Sequence, residues 1–336
     1  MCLQNPFTFG VTNFTLSAAS NQTRETMKDL KSIRIGTRGS PLALAQAIEV
    51  QKHLCAAELL RLEKAIPTIK TIKTTGDKVL NQPLKEIGGK GLFSKEIDKA
   101  LLANQIDLAV HSMKDLETWI PSEIKLVAIM EREDPRDVFI SQLAGSLDEL
   151  PPGSIVGTCS LRRQAQVLHR RPDLVIKPLR GNVQTRMQKL ENGEVDATLL
   201  ALAGLKRLGM ENTATEILDP DIALPAVAQG AIGITCRAND KFIISLLETL
   251  NHGPSWQCVL AERTMLAALD GSCRTPIGGL AKLGPNGTLS LKGFLAKEDG
   301  SKIFEALKEG PIEKAEVIGN NVGEELRRLS GRDFPV

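Results

Sequence analysis

Several common features are missing from this 336-residue sequence, and each absence narrows the class of protein. Tyrosine is absent and aromatic residues make up 3% of the chain, so stacking platforms for single-stranded nucleic acid are not expected. The formal net charge is only +2, which gives no general attraction for a polyanion. No apolar run is long enough to span a bilayer. We therefore expect neither nucleic acid nor a membrane as partner.

Paired metal-ligand and disulfide patterns are also missing. The chain has six cysteines but no Cys-x-x-Cys pair, and they lie far apart at Cys2, Cys55, Cys159, Cys236, Cys258 and Cys273. The four histidines are scattered. This spacing argues against a structural zinc site and a disulfide framework, and it favours a reducing compartment.

Residues 1–30 differ in composition from the rest of the chain. They are rich in serine, threonine and asparagine, their first acidic residue is Glu25, and no continuous apolar segment follows a basic start. Low acidity with many hydroxyls is typical of an organelle transit peptide, although Arg24 is the only arginine. Composition leaves a transit peptide and a disordered tail equally open.

One arrangement recurs three times in the remaining sequence. A short apolar strand leads into a small, polar loop, and a helix follows, with the loops at 36–39, 157–160 and 179–182. Ser40 and Pro41 are strong helix-start signals after the first loop. Alternating strands and helices predict α/β domains with mostly parallel sheets, and the length predicts two or three of them.

Each of these loops carries arginine in or beside it, at Arg38, Arg162, Arg163, Arg180 and Arg186. Backbone N–H groups at a helix N-terminus favour anions, and guanidinium groups bind carboxylate or phosphate. A single such loop would be ordinary surface charge. Three loops of one design predict a cleft for a ligand with several negative groups.

A further pair of charged residues follows the predicted strand that contains Ile106, Leu108 and Val110. Lys114 and Asp115 stand at its carboxyl end, where ligands bind in α/β sheets. A lysine–aspartate pair is often only a solvated ion pair. Its place at the strand exit favours a catalytic role.

Two proline-containing segments, 131–136 and 224–230, predict chain crossings that form a hinge between two lobes. The first lobe would comprise 31–130 and 231–250, the second 136–224, and a smaller C-terminal α/β domain 251–336. That last domain contains Cys273 in a stretch of small residues beside Arg274, which favours an approachable thiolate.

Taken together, these motifs resemble the porphobilinogen deaminase (hydroxymethylbilane synthase) family over about residues 31–330. They follow one order along the chain: IGTRGSPLA from 35, GGKGLF from 88, HSMKD from 111, EREDPRD from 131, SLRR from 160, RGNV from 180, LPAVAQG from 224 and GSCRTPI from 271. The family implies two periplasmic-binding-protein-like lobes and a third domain that bears the cysteine.

The resemblance also implies the chemistry. Cys273 would carry a dipyrromethane cofactor through a thioether, and Asp115 would be the catalytic carboxylate. The enzyme, a monomeric transferase, would condense four porphobilinogen molecules with loss of ammonia to give hydroxymethylbilane, for heme and chlorophyll biosynthesis.

By the same resemblance, the cofactor would be held by residues from both lobes, namely Ser112, Lys114, Asp115, Thr158, Ser160, Arg162, Arg163 and Gln229. Incoming substrate and growing product would be held by Arg38, Ser40, Arg180, Arg186 and Arg207. The family usually has proline where Glu117 stands. The sequence of the cysteine motif most resembles that of plant members of the family. This resemblance favours the plastid stroma over the cytoplasm as the location of the protein.

Two other classes of protein remain to be weighed. A non-catalytic, two-lobed anion-binding protein would explain the arginine loops and the hinge but not Cys273. A cysteine hydrolase would need a histidine base near Cys273, and the sequence indicates none. Only the deaminase would carry a covalent dipyrromethane.

Overall fold

A computed structural model describes residues 32–57, 66–78, 94–271 and 275–331. The described chain is an α/β fold with three sheets, of five, five and three strands. Its strands in chain order are β1 (Arg34–Arg38), β2 (Thr68–Ile72), β3 (Leu108–Ser112), β4 (Ile124–Ile129), β5 (Asp137–Ser141), β6 (Ile155–Gly157), β7 (Val175–Lys177), β8 (Ala197–Ala201), β9 (Glu216–Ile217), β10 (Ile232–Arg237), β11 (Ile277–Leu283), β12 (Thr288–Ala296) and β13 (Ile303–Pro311).

Helices connect and cover these strands. They are α1 (Pro41–Ala56), α2 (Thr75–Lys78), α3 (Lys95–Leu102), α4 (Leu161–Arg170), α5 (Val183–Glu191), α6 (Leu202–Arg207), α7 (Lys241–Glu248), α8 (Gly253–Ala268) and α9 (Ala315–Ser330). Short 3₁₀ helices span Met113–Asp115, Glu211–Thr213 and Ile312–Lys314. No helix in the described ranges is long and apolar enough to cross a membrane.

The two larger sheets share one topology. The first has the order β2-β1-β3-β10-β4 and the second the order β7-β6-β8-β5-β9. In each, two neighbouring pairs are parallel and two are antiparallel. The antiparallel pairs involve β10 and β5, the strands that follow the chain crossings between the sheets. Below, the first lobe is the first sheet with its helices, and the second lobe is the second sheet with its helices.

Hydrogen bonds join the two crossing segments. The Gln229 side-chain amide donates to the Pro135 carbonyl at 2.7 Å, and the Glu133 N–H donates to the Gly230 carbonyl at 3.4 Å. Gly230 has φ +90°, and a Cβ there would lie 2.3 Å from the Glu133 carbonyl oxygen. The two crossing segments therefore lie side by side, and only glycine fits at this approach.

The third sheet, β11-β12-β13, packs against helices α8 and α9, and it reaches both lobes. Its buried cluster includes Leu116 and Ile129 of the first lobe. On the other side, Gln164 of α4 donates to the Glu298 carbonyl at 3.1 Å. The C-terminal unit therefore bridges the two lobes.

The sequence pattern predicted the start of the first recurring loop too early in the chain, because the strand before it is longer than expected. Residues 36–39 were expected to be a loop, but β1 continues through Arg38. Both Gly36 and Thr37 pair with β2, and a Cβ on Gly36 would lie 2.2 Å from Ile106. Small residues there permit close packing inside the sheet, which sequence reasoning took for a turn.

Candidate active site

The carboxyl ends of β1 and β3 bring Arg38 and Asp115 together. These strands are parallel neighbours, so both residues leave the same edge of the sheet. The Arg38 Nη1 lies 3.9 Å from the Asp115 Oδ2, and the two side chains are 23% and 37% exposed. The predicted strand exit is confirmed, and both groups remain accessible to a ligand.

A pocket of the first lobe lies beside this pair. Its lining includes Arg38, Ser40, Leu42, Ser112 and Asp115. Ser40 caps helix α1 and accepts a hydrogen bond from the Ala43 N–H at 3.3 Å, as its position before Pro41 predicted. The pocket therefore combines a cation, a carboxylate and a helix N-terminus.

His111 also lines this pocket, but as a neutral ring. Its Nε2 lies 2.9 Å from the Thr235 hydroxyl. Burial, followed by the positive charge of Arg263, lowers the pKa of His111 to about 4. A protonated imidazole is thus disfavoured here at neutral pH.

Lys114 follows β3 of the first lobe and lies close to residues of the second lobe. Its ammonium donates to the Gln229 side-chain oxygen at 3.4 Å. Burial lowers the pKa of Lys114 to about 8, and the carboxylate of Asp115 is the largest opposing influence. The charges of Arg163, Asp137 and Arg162 also act on it. Lys114 therefore belongs to one electrostatic cluster with residues of the second lobe.

In the second lobe, Thr158 and Ser160 form the start of helix α4. The Thr158 hydroxyl accepts from the Ser160 N–H at 3.1 Å, and the Ser160 hydroxyl accepts from the Arg163 N–H at 3.4 Å. These contacts hold the first turn of α4 in place. They direct Arg162 and Arg163 to the lobe interior.

Arg162 and Arg163 are buried, with 4% and 6% exposure, and both pair with Asp137. Arg162 donates to the Asp137 Oδ2 at 2.8 Å, and Arg163 donates to the Oδ1 at 2.8 Å and to the Oδ2 at 3.1 Å. They also donate to the Leu224 and Leu199 carbonyls at 2.7 and 2.8 Å. The two guanidinium groups, with other hydrogen bonds, hold the pKa of this fully buried carboxyl far below its usual range despite the opposing desolvation.

Arg186 faces the cleft from helix α5. Its Nε donates to the Gly181 carbonyl at 3.0 Å. Burial lowers the pKa of Arg186 to about 10, and the charges that act on it include Arg163, Cys159, Asp115 and Arg180. Asp115 of the first lobe and Arg186 of the second are thus electrostatically coupled across the cleft.

Arg207 lies apart from this cluster. Its Nε donates to the Glu49 carboxylate of helix α1 at 3.0 Å, and its side chain is only 8% exposed. The structure therefore gives it a carboxylate partner from the other lobe. A contact between Arg207 and substrate, which the sequence predicted, would require Glu49 to move aside.

Cys273 and the motif at 88–93 lie outside the described residues, as do residues 1–30. Helix α8 ends at Ala268, and the described chain continues to Gly271 and resumes at Thr275. Four cysteines within the described ranges, Cys55, Cys159, Cys236 and Cys258, are free thiols. In those same ranges, no group of three potential metal-ligating side chains is found.

Sequence reasoning missed a buried ion pair that fixes the hinge. Glu262 of α8 is fully buried and pairs with Arg132 of the first crossing segment at 2.6 Å. The same carboxylate accepts from the N–H groups of Ala228 and Ala281 at 2.6 and 2.7 Å. One side chain of the C-terminal unit therefore binds both crossings.

Arg263, the next residue, was also missed. It donates to the carbonyls of Leu116, Glu117 and Thr118 at 3.0, 2.7 and 3.1 Å. These residues directly follow Asp115, so Arg263 joins the loop after Asp115 to helix α8. Its partners are backbone atoms far away in sequence, and no side-chain pattern could have indicated them.

The fold and site define a class: a two-lobed α/β protein with a cationic cleft, a carboxylate at its centre and a third, bridging domain. Two family profiles match the chain. Residues 33–245 match "Porphobilinogen deaminase, dipyromethane cofactor binding domain", and residues 256–328 match the C-terminal domain of the same enzymes. The chain belongs to the porphobilinogen deaminase family, and it is a transferase that makes hydroxymethylbilane with a dipyrromethane cofactor.

Similar curated proteins come from plants and bacteria. The chloroplastic porphobilinogen deaminase of Oryza sativa subsp. japonica is 51% identical over 92% of this chain and 87% of its own length. That of Pisum sativum is 51% identical over 94% and 86%. The porphobilinogen deaminase of Nitrobacter winogradskyi is 51% identical over 89% and 94%.

Solved structures with a similar arrangement include substrate-binding proteins. The methionine-binding protein MetQ aligns with a TM-score of 0.42 and 13% identity over 71% of this chain and 94% of its own. A periplasmic substrate-binding protein of an ABC transporter from Coxiella burnetii aligns with a TM-score of 0.40 and 16% identity over 68% and 94%. The family match, rather than these alignments, rejects the non-catalytic alternative.

The residues of the cleft fit an anionic cofactor. The Arg162 Nε is one of the buried polar atoms in the described ranges that have no hydrogen-bond partner. Lys114 belongs to the same cluster, and its ammonium makes a long contact of 3.4 Å to the Gln229 side-chain oxygen. A dipyrromethane bears carboxylates, and donors of this kind are what carboxylates need.

Proposed function

We propose that Asp115 is the catalytic residue of the porphobilinogen deaminase reaction in this chain. The observation that carries this proposal is its position at the edge where β1 and β3 end, 3.9 Å from Arg38 and coupled to Arg186 of the other lobe. A pyrrole nitrogen in this gap would meet one carboxylate between cations.

The carboxylate would act in two ways. As ammonia leaves the substrate, positive charge develops on the pyrrole, and the ionised Asp115 stabilises it. When the next ring is joined, a proton must leave, and Asp115 is placed to accept or shuttle it. Arg38 limits the net negative charge of the site and orients the carboxylate.

The bound cofactor supplies the primer to which new rings are joined, and we assign its covalent attachment to Cys273. Its carboxylates would be held by side chains of both lobes, Ser112, Lys114, Thr158, Ser160, Arg162, Arg163 and Gln229. Support comes from the shared electrostatic cluster around Lys114 and from the unpartnered Arg162 Nε. Ion pairing to Asp137 keeps these arginines fixed before the cofactor arrives.

Arg38, Ser40, Arg180 and Arg186 would receive the carboxylates of incoming porphobilinogen and of the growing product. Arg38 and Ser40 stand directly before α1, and Arg180 and Arg186 stand near the start of α5. Arg207 was expected to act with them, but in the structure it pairs with Glu49.

The domain division that we propose assigns 31–130 and 231–250 to the first lobe, 136–224 to the second and 251–336 to the C-terminal domain. The distribution of strands among the three sheets supports these bounds. We further propose that the enzyme works as a monomer, without nucleic acid or membrane as partner.

We place the enzyme in the plastid stroma, with residues 1–30 as a transit peptide. The chloroplastic relatives from rice and pea and the low acidity of this segment support the location. A fusion of residues 1–30 to a fluorescent protein tests it. Import into plastids is expected, and a cytoplasmic signal would contradict it.

Intact-mass analysis with turnover measurements tests the two central residues. Cys273→Ala should fold but lack the dipyrromethane mass, whereas the control Cys55→Ser should retain it. Asp115→Asn should keep the adduct and lose about 10²–10⁴-fold in turnover, the usual contribution of a general acid–base group. An adduct on another cysteine, or normal turnover in the asparagine variant, would overturn the assignments.

A further inference from the structure

Helices α1 and α6 belong to different lobes and lie side by side. A Cβ on Gly204 of α6 would lie 3.5 Å from the Leu42 side chain of α1. About two turns further along α1, Glu49 accepts the hydrogen bond from Arg207. Leu42 and Glu49 share one face of α1, and Gly204 and Arg207 share one face of α6.

The contact between these helices is a partly buried ion pair. The Arg207 side chain is 8% exposed and that of Glu49 is 34% exposed. Charges shielded from water attract each other more strongly than a surface pair does. The adjacent Lys206 pairs with Glu133 of the crossing segment at 2.7 Å. The end of α6 is therefore fastened to the first lobe and to the hinge.

The pair is also linked to the substrate pocket through helix α1. Leu42 lines the pocket that contains Arg38, Ser40 and Asp115. Arg38 and Ser40 stand directly before α1, so a rotation of this helix against α6 would move them relative to Arg186. The contact between α1 and α6 therefore joins the second lobe to the helix that carries part of the pocket lining.

We propose that Glu49 and Arg207 form an interlobe latch, which holds the lobes at the separation where Arg38 and Asp115 face Arg186. Both are positioning residues: Arg207 acts through Glu49, not by binding a substrate carboxylate. The inference rests on the proposed site roles of Arg38 and Asp115.

In a competing account, Glu49 occupies the position of a substrate carboxylate on Arg207, and the substrate displaces it on binding. The two accounts predict different changes in KM for Glu49→Gln. If Glu49 competes with substrate, its removal lowers KM. If Glu49 is half of a latch, its removal loosens the cleft, so kcat/KM falls and KM does not improve.

Charge reversal on the holoenzyme separates them further. We expect Glu49→Arg and Arg207→Glu each to lower kcat/KM by about tenfold or more, a range typical of coupled charges in contact. The double variant E49R/R207E restores the attraction with opposite polarity, and its kcat/KM should return to within about threefold of wild type. A residue that binds substrate directly could not be rescued in this way.

The matched control is Asp148→Arg, which breaks the exposed pair of Asp148 with Arg170 inside one lobe. It should leave kcat/KM unchanged. Intact mass is recorded for the wild type and for every variant. A wild-type protein without the dipyrromethane adduct would refute the proposed function, whereas the kinetic results test the latch. The latch is wrong if the double variant is as weak as Arg207→Glu, or if Glu49→Gln lowers KM.

Discussion

Two groups of arginines stand in similar sequence contexts but differ in their burial and ion pairing in the structure. Arg162 and Arg163 are almost fully buried and share the carboxylate of Asp137. Arg38 lies at the cleft 3.9 Å from Asp115, and Arg186 hydrogen-bonds only a backbone carbonyl through its Nε. All four stand near a polar loop at a helix start.

The two groups differ in how closely a carboxylate of the protein approaches them, since Asp137 lies 2.8 Å from both of its arginines and Asp115 lies 3.9 Å from Arg38. Asp137 neutralises part of the charge of its two arginines before any ligand arrives, which fixes their geometry in the second lobe. Arg186 donates from its Nε to the Gly181 carbonyl, and burial lowers its pKa to about 10. This contrast supports the proposed division, in which the first pair holds the cofactor and the second receives the carboxylates of substrate and product.

The largest expected effect comes from breaking the buried group. Asp137→Asn would leave two buried guanidinium groups without a counter-charge, and removal of one member of a buried pair costs about 3–5 kcal/mol. The free energy of unfolding of the apoprotein, measured in urea, should fall by that amount. Cofactor attachment should fail as well.

Asp148→Asn is the matched control for this substitution, because its carboxylate pairs with Arg170 on the surface at 2.5 Å. Exposed pairs contribute about 0–1 kcal/mol, so little change is expected. A loss in the Asp137 variant no larger than that of the control would show that the buried group is not a structural unit.

A smaller effect concerns Lys114, which lies between the two groups. Burial lowers the pKa of Lys114 to about 8, from 10.5. The unfolded chain therefore binds more protons between these values, and Lys114 makes apoprotein stability rise with pH in that window. Cofactor assembly should depend on pH in the opposite direction. It needs the charged ammonium of Lys114, so its rate should fall as the pH rises above about 8.

Assembly rates of apoprotein given porphobilinogen, measured from pH 7 to 10, check this prediction. Lys114→Arg keeps its charge throughout the range, so its profile should lack the fall above about pH 8. Matching profiles for the wild type and the arginine variant would assign the titration to another group.

Local parts of the site could be predicted from sequence because they depend on neighbours in the chain. Ser40 caps α1 as expected, and Lys114 and Asp115 follow the strand that its alternating pattern predicted. Since adjacent parallel strands end at one edge, Arg38 and Asp115 meet.

The other parts depend on contacts between distant residues, which no spacing reveals. Asp137 stands in a quoted motif, but its role exists only because α4 directs two arginines into the lobe interior. Glu49 and Arg207 are 158 positions apart and meet through the packing of two lobes. Buried ion pairs of this kind need tertiary structure to be recognised.

The most direct test of the division among the arginines is the intact mass of two variants, Arg163→Leu and Arg186→Leu. The account predicts that Arg163→Leu has an unmodified Cys273, whereas Arg186→Leu carries the cofactor and stalls with one or more extra rings. Each lost charge-assisted contact is worth about 1.5–3 kcal/mol, enough to slow one step by roughly tenfold to a hundredfold. An identical distribution of bound rings in both variants would contradict the account and leave the arginines as a general positive field.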